Sequence, residues 1–493
     1  MKVLLISPPF EDEWRDSRVN HNSHYPLGVA YLHSYLEAAG HAVESLPLNN
    51  YEYAEANNIV KEKLRAFSPD IVGFNMLTSN RVSCYRLMEH IMSEYPDTRI
   101  VIGGIHASTM YEQILQKYPD IIAVLGEGEI VMANLLSAIE SQSGLEGVKG
   151  IAYTVASGTP GQYLVKTTLK EELIEDLDIL PFPKHDIFFH EGRTVACILT
   201  SRGCPFQCSY CVLGIVSARR VRYRSIANVM SEIEYLVDKF PQIDTFWIHD
   251  DVFFLKPKRA IEFCDEFVKR NLNRKIVCSG RFKPFTSELS DALERAGCEM
   301  MMFGLETGSR QLMETSHKSM KPEDILQTFD MLKDTKVEPI CFLIVGLPGE
   351  NDETVSETIA FVKKMQKIRY FHYSDIGTLT IYPGTEVYEI AKAKNFMDDS
   401  YWLGDGPAPL YAAEHSVEQL QAYKDKILDA IALERIFTLR GFMSQAEMIP
   451  YILKSIWRGT PHYRVVILSL LIKAISPALY IRLKNLYRGA KRS

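Results

Sequence analysis

Short apolar runs alternate with amphipathic stretches through the first third of the chain. The runs cover 3–7, 42–47, 71–76, 100–105 and 121–125, each the length of a buried strand. Between them, 28–39, 54–67, 81–95, 108–117 and 129–141 carry apolar residues at helical spacing. This alternation predicts a doubly wound, Rossmann-like parallel sheet over residues 1–147. Ligands of such sheets sit beyond the carboxyl ends of the strands, near the reversal in strand order. Those ends hold the unusual residues: Ser7-Pro8-Pro9, Asn75-Met76-Leu77-Thr78-Ser79, Gly103-Gly104-Ile105-His106 and Gly126-Glu127-Gly128.

The pattern then changes. Residues 148–170 read as a hairpin around Ser157-Gly158-Thr159-Pro160-Gly161, and 171–192 as an acidic, proline-containing linker. From 193 to 395 a second alternating series has strand-like runs at 195–200, 245–249, 275–280, 300–305, 339–345 and 374–382. Six such units predict a partial (β/α)6 barrel of the TIM type, with its chemistry in loops at the carboxyl ends of the strands. Residues 396–493 read as a C-terminal helical region. Its loop Trp402-Leu403-Gly404-Asp405-Gly406-Pro407-Ala408-Pro409 is either a cover over the barrel mouth or a plain connector.

A chain of 493 residues with 46% hydrophobic content suits two to four globular domains. The net charge of −7 argues against a nucleic-acid partner. That charge is unevenly spread. Residues 451–493 carry nine Lys or Arg and no Asp or Glu, which leaves −16 on the first 450 residues. Together with the apolar stretch 465–481, this gives two readings: an interfacial helix, with peripheral membrane contact through 461–493, or a terminal helix docked on the acidic body. The N-terminus reads as a first strand ending at prolines rather than a signal peptide, so the expected location is cytoplasmic, with membrane association on the first of the two readings of the tail. Six scattered cysteines (84, 197, 264, 278, 298, 341) are expected as reduced core residues.

The remaining three cysteines carry the chemistry. Cys204, Cys208 and Cys211 stand in Arg-Gly-Cys-Pro-Phe-Gln-Cys-Ser-Tyr-Cys, directly after the first barrel strand. Three soft thiolates on one loop suit three irons of a 4Fe–4S cluster, with the fourth iron open to a small molecule. The rival readings are zinc completed by a distant histidine, and unliganded thiols. The spacing, with Tyr210 before the last cysteine, resembles the radical S-adenosylmethionine (SAM) enzymes, in which SAM chelates the open iron. That resemblance implies SAM contacts at strand ends: the backbone of Tyr210, Asp250, Arg281 for the methionine carboxylate, Glu306 for ribose or ammonium, and Gly346 in Gly346-Leu347-Pro348-Gly349-Glu350 for adenine. Asp250 has the competing role of a helix cap.

The N-terminal third is similar to the cobalamin-binding domain that precedes many radical SAM cores, on His24-Tyr25-Pro26-Leu27-Gly28 and Gly103-Gly104-Ile105-His106-Ala107. Pro9, Thr78, Ser79, Gly103, Gly104, His106, Gly126 and Glu127 are the implied cobalamin contacts. The cobalt-ligating run D-x-H-x-x-G is absent, so no protein histidine on cobalt is expected. The resemblance covers residues 1–395 and extends to relatives of the anaerobic magnesium-protoporphyrin monomethyl ester cyclase. It implies a methyltransferase that uses a 5′-deoxyadenosyl radical and methylcobalamin on an unactivated carbon of a small or lipid-like substrate. A flavodoxin or ferredoxin type electron donor is implied as partner. The alternatives are oxidative ring formation with the same cofactors, and a cobalamin carrier or sensor.

Overall fold

The computed structural model describes residues 1–11, 26–159, 161–189, 192–369 and 371–437. His24, Tyr25 and the whole basic tail lie outside the described residues. Seven strands form the N-terminal sheet: β1 (Lys2–Ser7), β2 (Ala42–Pro47), β3 (Ile71–Asn75), β4 (Arg99–Gly103), β5 (Ile122–Val124), β6 (Ile151–Ala156) and β7 (Tyr163–Thr167). Their order is β2-β1-β3-β4-β5-β6-β7. The first five are parallel, and Val3 to Ile6 of β1 are buried without alternation, as expected of a strand covered on both faces. The chain order reverses between β1 and β3, which opens a crevice at their carboxyl ends.

The hairpin does more than bridge. β6 pairs antiparallel with β5 and β7 with β6, so the segment read as a hairpin extends this sheet. The stretch read as a linker is also anchored. Ile174, Leu177, Leu180 and Phe188 are buried with Leu27, Ala30, Tyr31 and Cys197, filling the seam between the two halves.

The second half holds β8 (Val195–Ile198), a short antiparallel pair β9 (Ser201–Arg202) and β10 (Arg222–Tyr223), then β11 (Thr245–Ile248), β12 (Lys275–Gly280), β13 (Cys298–Glu306), β14 (Glu338–Val345) and β15 (His372–Thr378). Six of these form one parallel sheet in the order β15-β14-β13-β12-β11-β8, a partial barrel with β8 and β15 at its edges. The helix Val417–Phe437 packs against β14, β15 and the helix Asp352–Ile368. The six scattered cysteines are free and buried. Among the described residues no helix is long and apolar enough to cross a membrane.

One hydrophobic cluster runs through both halves. Phe74, Leu87 and Ile102 of the N-terminal domain share it with Leu312, Leu347, Leu379, Ile381, Tyr388 and Trp402. The loop 402–409 makes much of this join and is more than a connector. Trp402 is fully buried, with the Arg81 guanidinium 5.2 Å from its ring centroid. Arg81 donates to the Gly406 carbonyl, Tyr85 Oη to the Trp402 carbonyl at 3.2 Å, and Lys117 Nζ to the Leu403 carbonyl at 3.1 Å. Core-like packing of this kind holds the two halves in one relative position.

Candidate functional site

The three cysteines lie half-buried on the loop after β8, at the mouth of the partial barrel. Gly203 starts the loop at φ +98, and a Cβ there would fall 2.1 Å from the Arg220 carbonyl oxygen, so only glycine fits. The loop is pinned further along by Ser209 N donating to the Ser316 carbonyl at 3.0 Å and by Val387 N donating to the Ser209 carbonyl at 3.1 Å. Burial pushes the Cys204 thiol up and Cys211 up to about 11. Metal binding is what turns such thiols into thiolates. Among the described residues no three His, Cys, Asp or Glu side chains converge as a single metal ion requires. A four-iron cluster instead takes each thiolate on a separate iron.

The strand-end residues divide into those that face this loop and those that support it. Asp250 is a support. Fully buried, it accepts from Thr200 N at 2.6 Å, Thr200 Oγ1 at 2.6 Å, Ser201 N at 3.1 Å and Ser201 Oγ at 2.6 Å. Those four donors occupy both carboxylate oxygens, so Asp250 fixes the exit of β8 toward the cysteines rather than meeting SAM. Gly346 is also engaged internally. Its N–H donates to Glu350, whose carboxyl burial pushes up to about 7, and Leu420 closes over the loop.

Glu306, Tyr210 and Arg281 do face the loop. Glu306 takes a left-handed φ of +64 where β13 breaks register with β14. A non-glycine residue held there stores strain of the kind found at functional sites. Lys318 Nζ donates to Glu306 Oε1 at 2.8 Å and to Tyr210 Oη at 3.2 Å, tying the carboxylate to the cysteine loop. Burial first, then the Glu306 and Cys208 charges, push the Tyr210 phenol well up. Arg281 Nη1 donates to Cys208 Sγ at 3.7 Å.

On the opposite side the crevice of the N-terminal sheet opens as a cavity of ≈350 Å3. Leu5, Val29, Leu32, Phe74, Ile102 and Met132 give it an apolar floor, and Gly103, Gly104, Gly126 and Gly128 edge it. Its far wall is Ser201, Arg202 and Gly203, the start of the cysteine loop, with His249 and Asp251. Burial and the neighbouring Asp250 push Asp251 up to about 6, and burial lowers His249 to about 4. The glycine edge lets a ligand approach the backbone. Gly104 holds φ +96, with its missing Cβ only 2.8 Å from Asn75 Oδ1 and the Met76 carbonyl. An apolar slot edged by glycines, where no side chain holds a ligand away from the backbone, fits part of a large, flat, amide-bearing cofactor such as cobalamin.

The other residues expected at cobalamin are distributed differently. Glu127 lines the cavity but is bound by Arg222 at 2.6 and 2.9 Å and by Arg202 at 3.3 Å. Burial pulls its carboxyl up, yet these arginines override that and hold it below the ordinary range. It is therefore a clamp between the two halves. Thr78 and Ser79 line a separate cavity of ≈140 Å3 with Leu77, Ile105, Thr109, Val212, Tyr382 and Pro383, beside Cys211. Pro9 is buried and lines neither cavity. His106 is turned inward. Fully buried, it meets Thr78 Oγ1 at 3.1 Å and the Trp402 ring edge-on, and burial together with Arg81 lowers it to about 3. Arg222 and Lys318 carry no mark in the sequence reading, where Arg202 and Trp402 stand only within longer runs. The acid-free arginine run 219–224 after the cysteines is the local signal for Arg222.

A cysteine loop after the first strand of an open parallel barrel, walled against a glycine-edged doubly wound sheet, defines a radical SAM core joined to a cobalamin domain. Residues 19–136 match the B12 binding domain family and 198–362 the Radical SAM superfamily. The chain belongs to the cobalamin-binding radical SAM enzymes, and its cofactors are a 4Fe–4S cluster, SAM and cobalamin. An uncharacterized methyltransferase of Pyrococcus horikoshii is 29% identical over 82% of this chain and 85% of its own length. The anaerobic magnesium-protoporphyrin IX monomethyl ester cyclase of Rubrivivax gelatinosus is 32% identical over 73% of this chain, which spans 65% of the cyclase. In fold, the chain resembles the methyltransferase TsrM of Kitasatospora setae, solved with cobalamin and a [4Fe-4S] cluster (TM-score 0.63, 20% identity, 80% of this chain and 75% of that one). It also resembles OxsB, solved with aqua-cobalamin and SAM (TM-score 0.70, 17% identity, 99% of this chain and 75% of that one).

Proposed function

We propose that this enzyme places a methyl group on an unactivated carbon of a small, apolar or lipid-like substrate. One observation carries the reading: a single cavity has the glycine edge of the N-terminal sheet on one side and the start of the cysteine loop on the other. When bound, the cluster and SAM supply one-electron cleavage to a carbon radical, and cobalamin supplies the methyl group. Cys204, Cys208 and Cys211 hold the cluster in this account. Tyr210 and Glu306, braced by Lys318, orient SAM, and Gly103, Gly104 and Gly126 take the cobalamin. The chain's own contribution is geometric. Asp250 fixes the exit of β8, Arg222 and Arg202 clamp Glu127 across the seam, and the shared apolar core keeps water from a site where radicals would be quenched. A flavodoxin or ferredoxin type donor of electrons and contact of the basic tail with an anionic membrane belong to the same proposal.

Ring formation is the second reading, supported by the 32% identity to the Rubrivivax cyclase. The two are separated by anaerobic incubation of the reconstituted enzyme with a low-potential one-electron reductant, apolar extracts and SAM carrying a deuterated methyl group. Methyl transfer yields a product with the intact label, and one S-adenosylhomocysteine for each 5′-deoxyadenosine. A substrate-dependent product without label, formed with 5′-deoxyadenosine alone, overturns the methyltransferase reading in favour of the cyclase type.

A further inference from the structure

Arg281 sits just beyond β12 and is 8% exposed. Its guanidinium lies over the ring of Phe206, 3.7 Å from the centroid, and Phe206 stands between the first two cysteines. Nη1 reaches Cys208 Sγ at 3.7 Å, while Nη2 is buried with no hydrogen-bond partner. Among the described residues no carboxylate pairs with it. The position is built for this reach. A Cβ at Gly280 would fall 2.0 Å from Phe254 Cζ, so glycine lets Phe254 pass beneath, and the next residue, Phe282, stacks on Phe303 at 4.5 Å.

A guanidinium keeps its charge at every ordinary pH, and a buried charge without a counter-ion is strongly unfavourable. The group it touches that can become that counter-ion is Cys208, once its thiol is a cluster thiolate. We propose that Arg281 is the built-in counter-ion of Cys208 and sets the reduction potential of the cluster. This role differs from the SAM carboxylate contact expected from the sequence, and it rests on the family reading only through the cluster. Adding an electron makes the cluster one charge more negative. A fixed cation in a poorly solvated setting stabilises that reduced state more than the oxidised one, and N–H bonds to cluster sulfur act in the same direction. Arg281 therefore holds the potential up, which makes the cluster easier to reduce.

The test is an electron paramagnetic resonance titration of the full-length chain, reconstituted anaerobically with iron and sulfide and reduced by dithionite, without SAM or substrate. Wild type is compared with Arg281→Gln and Arg281→Lys at equal iron content. The expected result for Arg281→Gln is a ratio of reduced to oxidised cluster about tenfold lower at the wild-type midpoint, a downward shift of 59 mV for one electron. Arg281→Lys keeps the charge and stays near wild type. An unchanged midpoint in Arg281→Gln overturns the proposal, as does an equal shift in both variants. If Arg281→Gln fails to load iron, Arg281→Lys decides: loading with a wild-type midpoint supports the counter-ion role, and failure to load overturns it. No arm depends on methyl transfer, so this result and that of the labelled-methyl experiment are read separately.

Discussion

Replacing Trp402 by alanine is the sharpest test of how the two halves are joined. The side chain is fully buried in the cluster shared by the N-terminal sheet and the barrel. Truncating a buried tryptophan costs about 3–5 kcal/mol through lost transfer energy and the cavity left behind. Arg81, itself fully buried, also loses a cation–π contact at 5.2 Å, worth about 2 kcal/mol when desolvated. The indole N–H has the Tyr388 phenol as its neighbour, so its removal brings no relief that offsets these losses. The net loss is therefore at least about 3–5 kcal/mol. Against a typical total of about 5–15 kcal/mol this is severe. Urea unfolding followed by fluorescence and circular dichroism measures it, with Trp402→Phe as the conservative control that retains most of the packing. A Trp402→Ala variant within about 1 kcal/mol of wild type would refute the view that loop 402–409 joins the halves.

Other expectations follow from single residues. Glu350 has a folded pKa raised by burial from 4.5 to about 7, so its neutral form is favoured in the folded state. That contribution is full below pH 4.5 and is lost as pH rises through 7, a fall of about 3 kcal/mol. Glu350→Gln should flatten this slope in urea midpoints measured across that range, and an unaltered slope would exclude Glu350 as its source. Gly104→Ala should strain a left-handed turn by about 1–3 kcal/mol and press on Asn75, so the purified variant should retain less cobalt per chain. Equal cobalt in both proteins would remove Gly104 from the cofactor edge. The cob(II)alamin form should show no nitrogen splitting from a protein histidine, because the cobalt-ligating run D-x-H-x-x-G is absent and His106 faces Thr78 and Trp402 inside the core. Such splitting would assign a histidine to cobalt.

Strand runs and helix periodicity were the most legible features, because burial on both faces of a parallel sheet leaves continuous apolar segments. The run 42–47 is β2 to the residue, and 300–305 falls within the longer β13. The cysteine loop was legible because its spacing is local. What escaped the sequence is contact between distant segments. Lys318 meets Tyr210 across 108 residues, and Arg222 meets Glu127 across 95. Nothing in the local pattern of either residue marks such a partner. The acidic, proline-containing stretch 171–192 reads as a linker by composition, yet four of its apolar side chains fill the seam. His106 and Asp250 stand at strand ends, where a ligand contact is expected. Strand-end position does not distinguish a side chain turned into the cavity from one that satisfies its own backbone.

The central claim is that cluster and cobalamin occupy one compartment between the glycine edge and the cysteine loop. Electron paramagnetic resonance of the anaerobic holoenzyme, with the cluster reduced and cobalamin in the cob(II) state, tests it most directly. Two paramagnets in one compartment interact. The account predicts a cob(II)alamin signal broadened or split by the cluster in wild type, and a sharp, unperturbed one when Cys204, Cys208 and Cys211 are all alanine. A cob(II)alamin signal identical in the two proteins, at full iron loading of the wild type, would contradict it.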